Sequence, residues 1–83
     1  MSNLTKQLEE QHYLGKAIQS LRAENKMSIH ELANQTGISV SYLAHLESGV
    51  RKNPSYTVLQ LLAVGLGVSL SQLINVLSEQ NQE

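Results

Sequence analysis

A glycine at position 37 divides the stretch SIHELANQTGISVSYLAHLESG, running from Ser28 to Gly49, into two segments that each read as a short helix. The first opens on Ser28-x-x-Glu31, the spacing of a capping box. There the serine hydroxyl accepts the amide of Glu31, and the glutamate carboxylate reaches back to the amide of Ser28. Leu32, Ala33 and Thr36 fall on one face of this helix, and the small Ala33 lets a crossing helix come close. Gly37 stops the helix because it enters the left-handed region without a Cβ penalty. Ser39 offers the next N-cap, and Leu43 and Leu46, with Ile38 just ahead, form the inward stripe of a second helix ending at Gly49. Two helices joined in this way make a helix-turn-helix. Val40, Ser41, Ala44, His45 and Ser48 are left facing outward, a short and mostly uncharged surface slim enough to enter a DNA major groove.

The rest of the chain is helical by the same criteria, because apolar residues recur at helical spacing and no two-residue alternation persists. Helix 1 is expected from about Leu14 to Asn25, with Leu14, Ala17, Ile18 and Leu21 inward and Met27 filling the corner between helices 1 and 2. After Gly49 the run VRKNPS is a loop, since Pro54 pushes Asn53 out of helical conformation and Ser55 can cap the next helix. Helix 4, about Tyr56 to Leu66, is apolar over most of its circumference and is expected to be the central core helix. Gly67 ends it, Ser69-x-x-Gln72 is a second capping box, and Leu70, Leu73, Ile74 and Leu77 continue as helix 5. The expectation is an all-α, five-helix domain over residues 14–77, with an N-terminal extension at 1–13 and a polar tail at 78–83. Within the extension Leu4 and Leu8 stand at i, i+4, the pattern of a short extra helix, although a frayed polar tail fits the same residues.

Composition narrows the function classes. The chain has 83 residues, enough for one domain that buries only about 60 to 65 per cent of its unfolded surface, so partner subunits would help its stability. No cysteine is present, which removes a disulfide framework and cysteine-based metal sites. The histidines, His12, His30 and His45, lack metal-ligand spacing. No Ser-His-Asp arrangement, glycine-rich phosphate loop or apolar pair of carboxylates is found, so neither an enzyme nor a cofactor is expected. The longest apolar stretch, around Leu59 to Leu70, is too short for a bilayer and is broken by Gly65 and Gly67; the cytoplasm is the expected location.

The net charge of −1 argues against DNA binding, which rests largely on Lys and Arg neutralising phosphates. Its distribution weakens that objection. Lys16, Arg22, Lys26, Arg51 and Lys52 against Glu24, Glu31 and Glu47 leave the stretch from Leu14 to Ile74 at +2, whereas Lys6 against Glu9, Glu10, Glu79 and Glu83 leaves the flanks at −3. A value of +2 is still low for a groove binder, so backbone amides and hydroxyls are expected to carry more of the phosphate contact.

The segments LGKAIQSLR, HELANQTGIS, SYLAHLESG and NPSYTVLQLLAVGLGVSLSQL, in this order, resemble the Cro/CI-type family of phage and bacterial repressors, also called the xenobiotic-response-element helix-turn-helix family. The resemblance covers roughly three quarters of the chain, and SYL with NPS after it is most similar to the SinR-like branch. It implies a bacterial or phage origin. It also implies that Val40, Ser41 and His45 read base edges: Val40 against a thymine methyl, Ser41 toward several edges, His45 toward a guanine acceptor. The same residues would suit a merely solvated helix face. Ser28, Ser39 and the amides at helix N-termini are candidate phosphate contacts. Tyr42 either reaches a phosphate with its hydroxyl or packs beside helix 2, and Arg51, Lys52 and Asn53 are placed to grip the backbone. Many members of the family carry Gln at the first position of helix 2, where this chain has Ile29, which removes one side-chain contact to phosphate. Arg22 and Glu47 stand where the family pairs an arginine late in helix 1 with a glutamate late in helix 3, a structural brace.

Two functions fit. One is a sequence-specific transcriptional repressor that binds a palindromic operator in double-stranded DNA as a homodimer, with Leu70, Ile74 and Leu77 as the dimer surface and a protein antagonist as a further partner. The other is a protein-interaction module, an antirepressor or antitoxin that keeps the fold, which the acidic flanks and the missing Gln favour. A salt-sensitive shift of DNA separates them.

Overall fold

The structure is a computed structural model; it describes the backbone of residues 13–81 and the side-chain surroundings of residues 14–75. The expected extra helix around Leu4 and Leu8 lies outside the described residues. Five helices succeed one another: α1 Tyr13–Glu24, α2 Ile29–Thr36, α3 Val40–Ser48, α4 Tyr56–Leu66 and α5 Leu70–Asn81. Among the described residues there is no strand, and no helix is long and apolar enough to cross a membrane.

Helices α2 to α5 each begin where a serine hydroxyl can take an otherwise unpaired first-turn amide. Both expected capping boxes are closed: Glu31 N–H donates to Ser28 Oγ at 3.0 Å and Ser28 N–H to Glu31 Oε1 at 2.8 Å. The pair Ser69 and Gln72 repeats the geometry at α5. Ser39 and Ser55 cap α3 and α4 by accepting the amides of Tyr42 and Val58.

The stripes these helices present to one another make a single core of Leu14, Ile18, Leu32, Ala33, Leu43, Leu46, Leu62, Ala63, Leu66 and Leu73. Helix α1 packs chiefly on α3, and α2 packs on both α3 and α4. Helix α5 closes the other side against α4 and α1. Gly15 allows the tightest of these approaches, since a methyl group there would stand 2.6 Å from the carbonyl oxygen of Leu46 and closer still to that of Glu47.

Two expectations change. Helix α4 buries Leu62, Ala63, Gly65 and Leu66 and half-buries Val58 and Leu59, but Leu61 is exposed and Val64 is 79% exposed. A chain this small has too few neighbours to wrap a helix on all sides. Helix α5 also runs to Asn81, so residues 78–81, expected as polar tail, have helical backbone. Glu79 and Gln80 are good helix formers and no glycine or proline stands there to stop them.

Candidate nucleic-acid interface

The turn between α2 and α3 is fixed by hydrogen bonds. Gly37 sits at φ 77°, and its amide donates to the Ala33 carbonyl at 2.8 Å. The buried Thr36 hydroxyl donates to the Leu32 carbonyl at 2.8 Å and accepts the Ile38 amide at 3.2 Å. With both ends of the turn satisfied, α3 leaves α2 at a set angle, and its Leu43, Leu46 and Glu47 face is buried.

Ser41, Ala44, His45 and Ser48 remain exposed at i, i+3, i+4, i+7 spacing and so form one continuous stripe. Small side chains at three of the four positions would let another surface approach the helix backbone. Val40, expected beside Ser41 as a reader, is half-buried against the core, so only part of its side chain is presented. Tyr42 is also half-buried, which fits packing beside its neighbours, and its ring carries the Arg51 guanidinium 5.9 Å above its centroid.

The groups expected to hold phosphates lie at the starts of α2 and α3 and in the loop after α3. Ser28 and Ser39 are exposed at the starts of α2 and α3, each with a hydroxyl that accepts an amide and keeps its own proton to donate. Beyond α3, the Arg51 amide donates to the His45 carbonyl at 3.0 Å, bringing the loop back along the helix. Arg51, Lys52 and Asn53 are all exposed there and, with Tyr42 and Val50, line a shallow groove. Ile29, at the position where the family resemblance would have Gln, is half-buried against the core.

The expected brace is formed. Arg22 Nε donates to Glu47 Oε2 at 2.8 Å and Nη2 to Oε1 at 2.9 Å, the parallel arrangement a planar guanidinium makes with a carboxylate. The pair is largely buried, with side chains 20% and 8% exposed. By accepting these bonds Glu47 raises the Arg22 pKa above its ordinary value, against the opposing pull of burial. Sequence reasoning missed a second tie at the same corner: Asn25 Nδ2 donates to the Leu66 carbonyl at 2.9 Å, joining the end of α1 to the end of α4. No spacing rule announces such a contact.

Of the expected dimer surface, Leu70 is half-buried against the core and Ile74 is 39% exposed; the side chain of Leu77 lies outside the described residues. Val64 on α4 is more exposed than Ile74, and Leu61 on the same helix is about equally exposed.

Known proteins share this arrangement. The family model described as Helix-turn-helix matches residues 18–73. The chain is 36% identical over 62 residues to the HTH-type transcriptional regulator SinR of Bacillus licheniformis, a match covering 75% of this chain and 56% of that protein. It is 37% identical over 62 residues to the HTH-type transcriptional regulator SlrR of Bacillus subtilis (strain 168), covering 75% of this chain and 41% of that one. To the immunity repressor protein of Bacillus phage phi105 it is 36% identical over 61 residues, with 74% and 42% covered. The chain thus spans about half the length of these relatives. Among solved structures, the clp gene regulator ClgR from C. glutamicum superposes with a TM-score of 0.74 at 27% identity, over 88% of this chain and 94% of that one.

Proposed function

From the premise that this chain belongs to the Cro/CI-type helix-turn-helix family, among its SinR-like members, we propose that it is a DNA-binding transcriptional regulator that represses transcription by binding a palindromic operator as a homodimer. The observation that carries this reading is the exposed stripe Ser41, Ala44, His45 and Ser48 on a helix whose opposite face is locked into the core. In this reading Ser41 and His45 hydrogen-bond base edges, and the exposed part of Val40 meets a thymine methyl. Ser28, Ser39, Arg51, Lys52 and Asn53 hold the phosphates on either side and set the register of the reading helix.

Two copies are required because one helix reads too few base pairs to select a site in a genome. We place the dimer surface on α5 and α4, around Ile74, Val64 and Leu61, with Leu77 continuing the same helix as Ile74. The two reading helices would then sit about 34 Å apart, matching half-sites one helical turn from centre to centre. The site of action is the cytoplasm of a bacterial cell.

A second reading, an interaction module directed at another regulator, is favoured by Ile29, whose half-buried side chain replaces a polar phosphate contact, and by the acidic flanks. Selection of bound sequences from a random DNA pool tests the choice. Repression predicts enrichment of an inverted repeat and a salt-sensitive complex; an unenriched pool and no salt-sensitive complex favour the interaction module.

A further inference from the structure

The loop after α3 is more ordered than a pair of solvated cations requires. Gly49 caps the helix with its amide on the Leu46 carbonyl, and the Arg51 amide returns to the His45 carbonyl at 3.0 Å. The backbone of Arg51 is therefore held beside the reading helix. Its guanidinium lies over the Tyr42 ring, 5.9 Å from the centroid, within the range of a cation–π contact. Tyr42 itself is half-buried against the core and lies in the first turn of α3, so its ring is backed by the body of the domain.

We infer that Tyr42 is a positioning residue: its ring, rather than its hydroxyl, holds the Arg51 guanidinium ready for a DNA phosphate. This rests on the DNA-binding reading above. The Arg51 guanidinium makes no side-chain hydrogen bond among the described residues, so its N–H groups stay free beside the ring, and those are the groups that take a phosphate with two parallel bonds. An arginine already held in place gives up less side-chain freedom on binding than a free one. Among the described residues, the groove it shares with Lys52 and Asn53 is lined by no carboxylate that could compete for it.

The test measures binding of a fluorescent random-sequence duplex about three helical turns long at several salt concentrations. The proteins are wild type, Tyr42→Phe, Tyr42→Leu, Arg51→Ala and the Tyr42→Leu/Arg51→Ala double variant, each checked for folding by circular dichroism. Tyr42→Phe is expected within about twofold of wild type, because the ring remains. Arg51→Ala is expected to bind about tenfold more weakly, with a salt slope shallower by about one. Tyr42→Leu is expected to lose about three- to tenfold, and the double variant to bind no worse than Arg51→Ala alone, since the ring acts through that arginine.

Three results overturn the inference: Phe losing as much as Leu, which assigns the contact to the hydroxyl; full additivity in the double variant; or an unchanged Tyr42→Leu. If Tyr42→Leu does not fold, Arg51→Lys on the exposed loop decides, because the charge stays while the planar guanidinium over the ring and its paired N–H groups go. A loss of about threefold at constant salt slope supports the inference, and wild-type binding overturns it. A wild type that shows no salt-sensitive binding at all refutes the DNA-binding reading, and the role of Tyr42 with it. A loss confined to the Tyr42 variants overturns the positioning role while that reading stands.

Discussion

Arg22 holds both carboxylate oxygens of Glu47 and, through Nη1 at 2.9 Å, the carbonyl of Met27, so one guanidinium ties the corner after α1 to the far end of α3. All of these contacts point inward, which makes it an orienting group for α3.

Removing its partner should therefore be felt in stability. Glu47→Ala is expected to lower it by about 2 to 4 kcal/mol, since the arginine left behind is mostly buried and keeps only the Met27 carbonyl, with no counter-charge. Urea unfolding measures the loss; a difference below about 0.5 kcal/mol would mean the pair contributes nothing net.

The same pair has a pH signature. Because Glu47 raises the Arg22 pKa above its unfolded value, the stabilisation from that shift is fully present below the unfolded pKa and is lost only as pH rises through the still higher folded one. The stability gap between wild type and Glu47→Ala should accordingly stay constant from about pH 7 to about pH 10. A gap that closes in that range would show that the brace depends on some other titrating group.

Gly15→Ala should damage the fold although alanine is the better helix former. The added methyl meets the carbonyls of Leu46 and Glu47, which are backbone and cannot rotate away, so α1 and α3 must separate. A loss of roughly 2 to 3 kcal/mol is expected in place of the gain of up to about 1 kcal/mol at an open helical site. Thermal or urea unfolding distinguishes loss from gain by sign alone.

Reading and gripping should separate in binding titrations. Ser41→Ala or His45→Ala is expected to relax preference at one or two base positions per half-site, by about 1 to 3 kcal/mol, with little change in salt slope. Lys52→Ala should weaken selected and random duplexes alike and flatten the slope by about one. If the Ser41 and His45 variants keep the full ratio between selected and scrambled sequences, α3 is not the reader.

The dimer surface is tested by Val64→Lys. Val64 is 79% exposed in the single chain, so the melting temperature of the monomer should hardly move, while self-association seen by light scattering should fall at least about tenfold. Unchanged association would move the interface off α4.

Most of the fold is legible in the sequence because its signals are local. Capping boxes at Ser28 and Ser69, the stop at Gly37 and the apolar spacing of α1 to α3 each concern residues within one or two turns, and the structure repeats them. Helix α4 departs from its expected burial because apolar periodicity reports which residues could be buried, not how many neighbours exist to bury them; Leu61 and Val64 stay outside for that reason. Helix α5 outlasts its expected end because polarity alone does not stop a helix where no breaker stands. Within the interface, the outward stripe on α3 is a consequence of helical spacing. The approach of Arg51 over the Tyr42 ring and the bond from Asn25 to Leu66 are not, since both join residues whose separation in the chain carries no periodic signal. Gly15 has a visible cue, an isolated glycine inside an amphipathic helix, which often has a packing reason.

The anchoring of α3 on one side only bears on how such a chain can diversify. Leu43, Leu46 and Glu47 are committed to neighbours, whereas the side chains of Ser41, Ala44 and His45 accept or donate no hydrogen bond among the described residues and lie in solvent. Exchanges at these three positions therefore meet almost no folding constraint. If α3 reads DNA as proposed, a new sequence preference is open to acquisition there by single steps, each leaving a protein as stable as its parent.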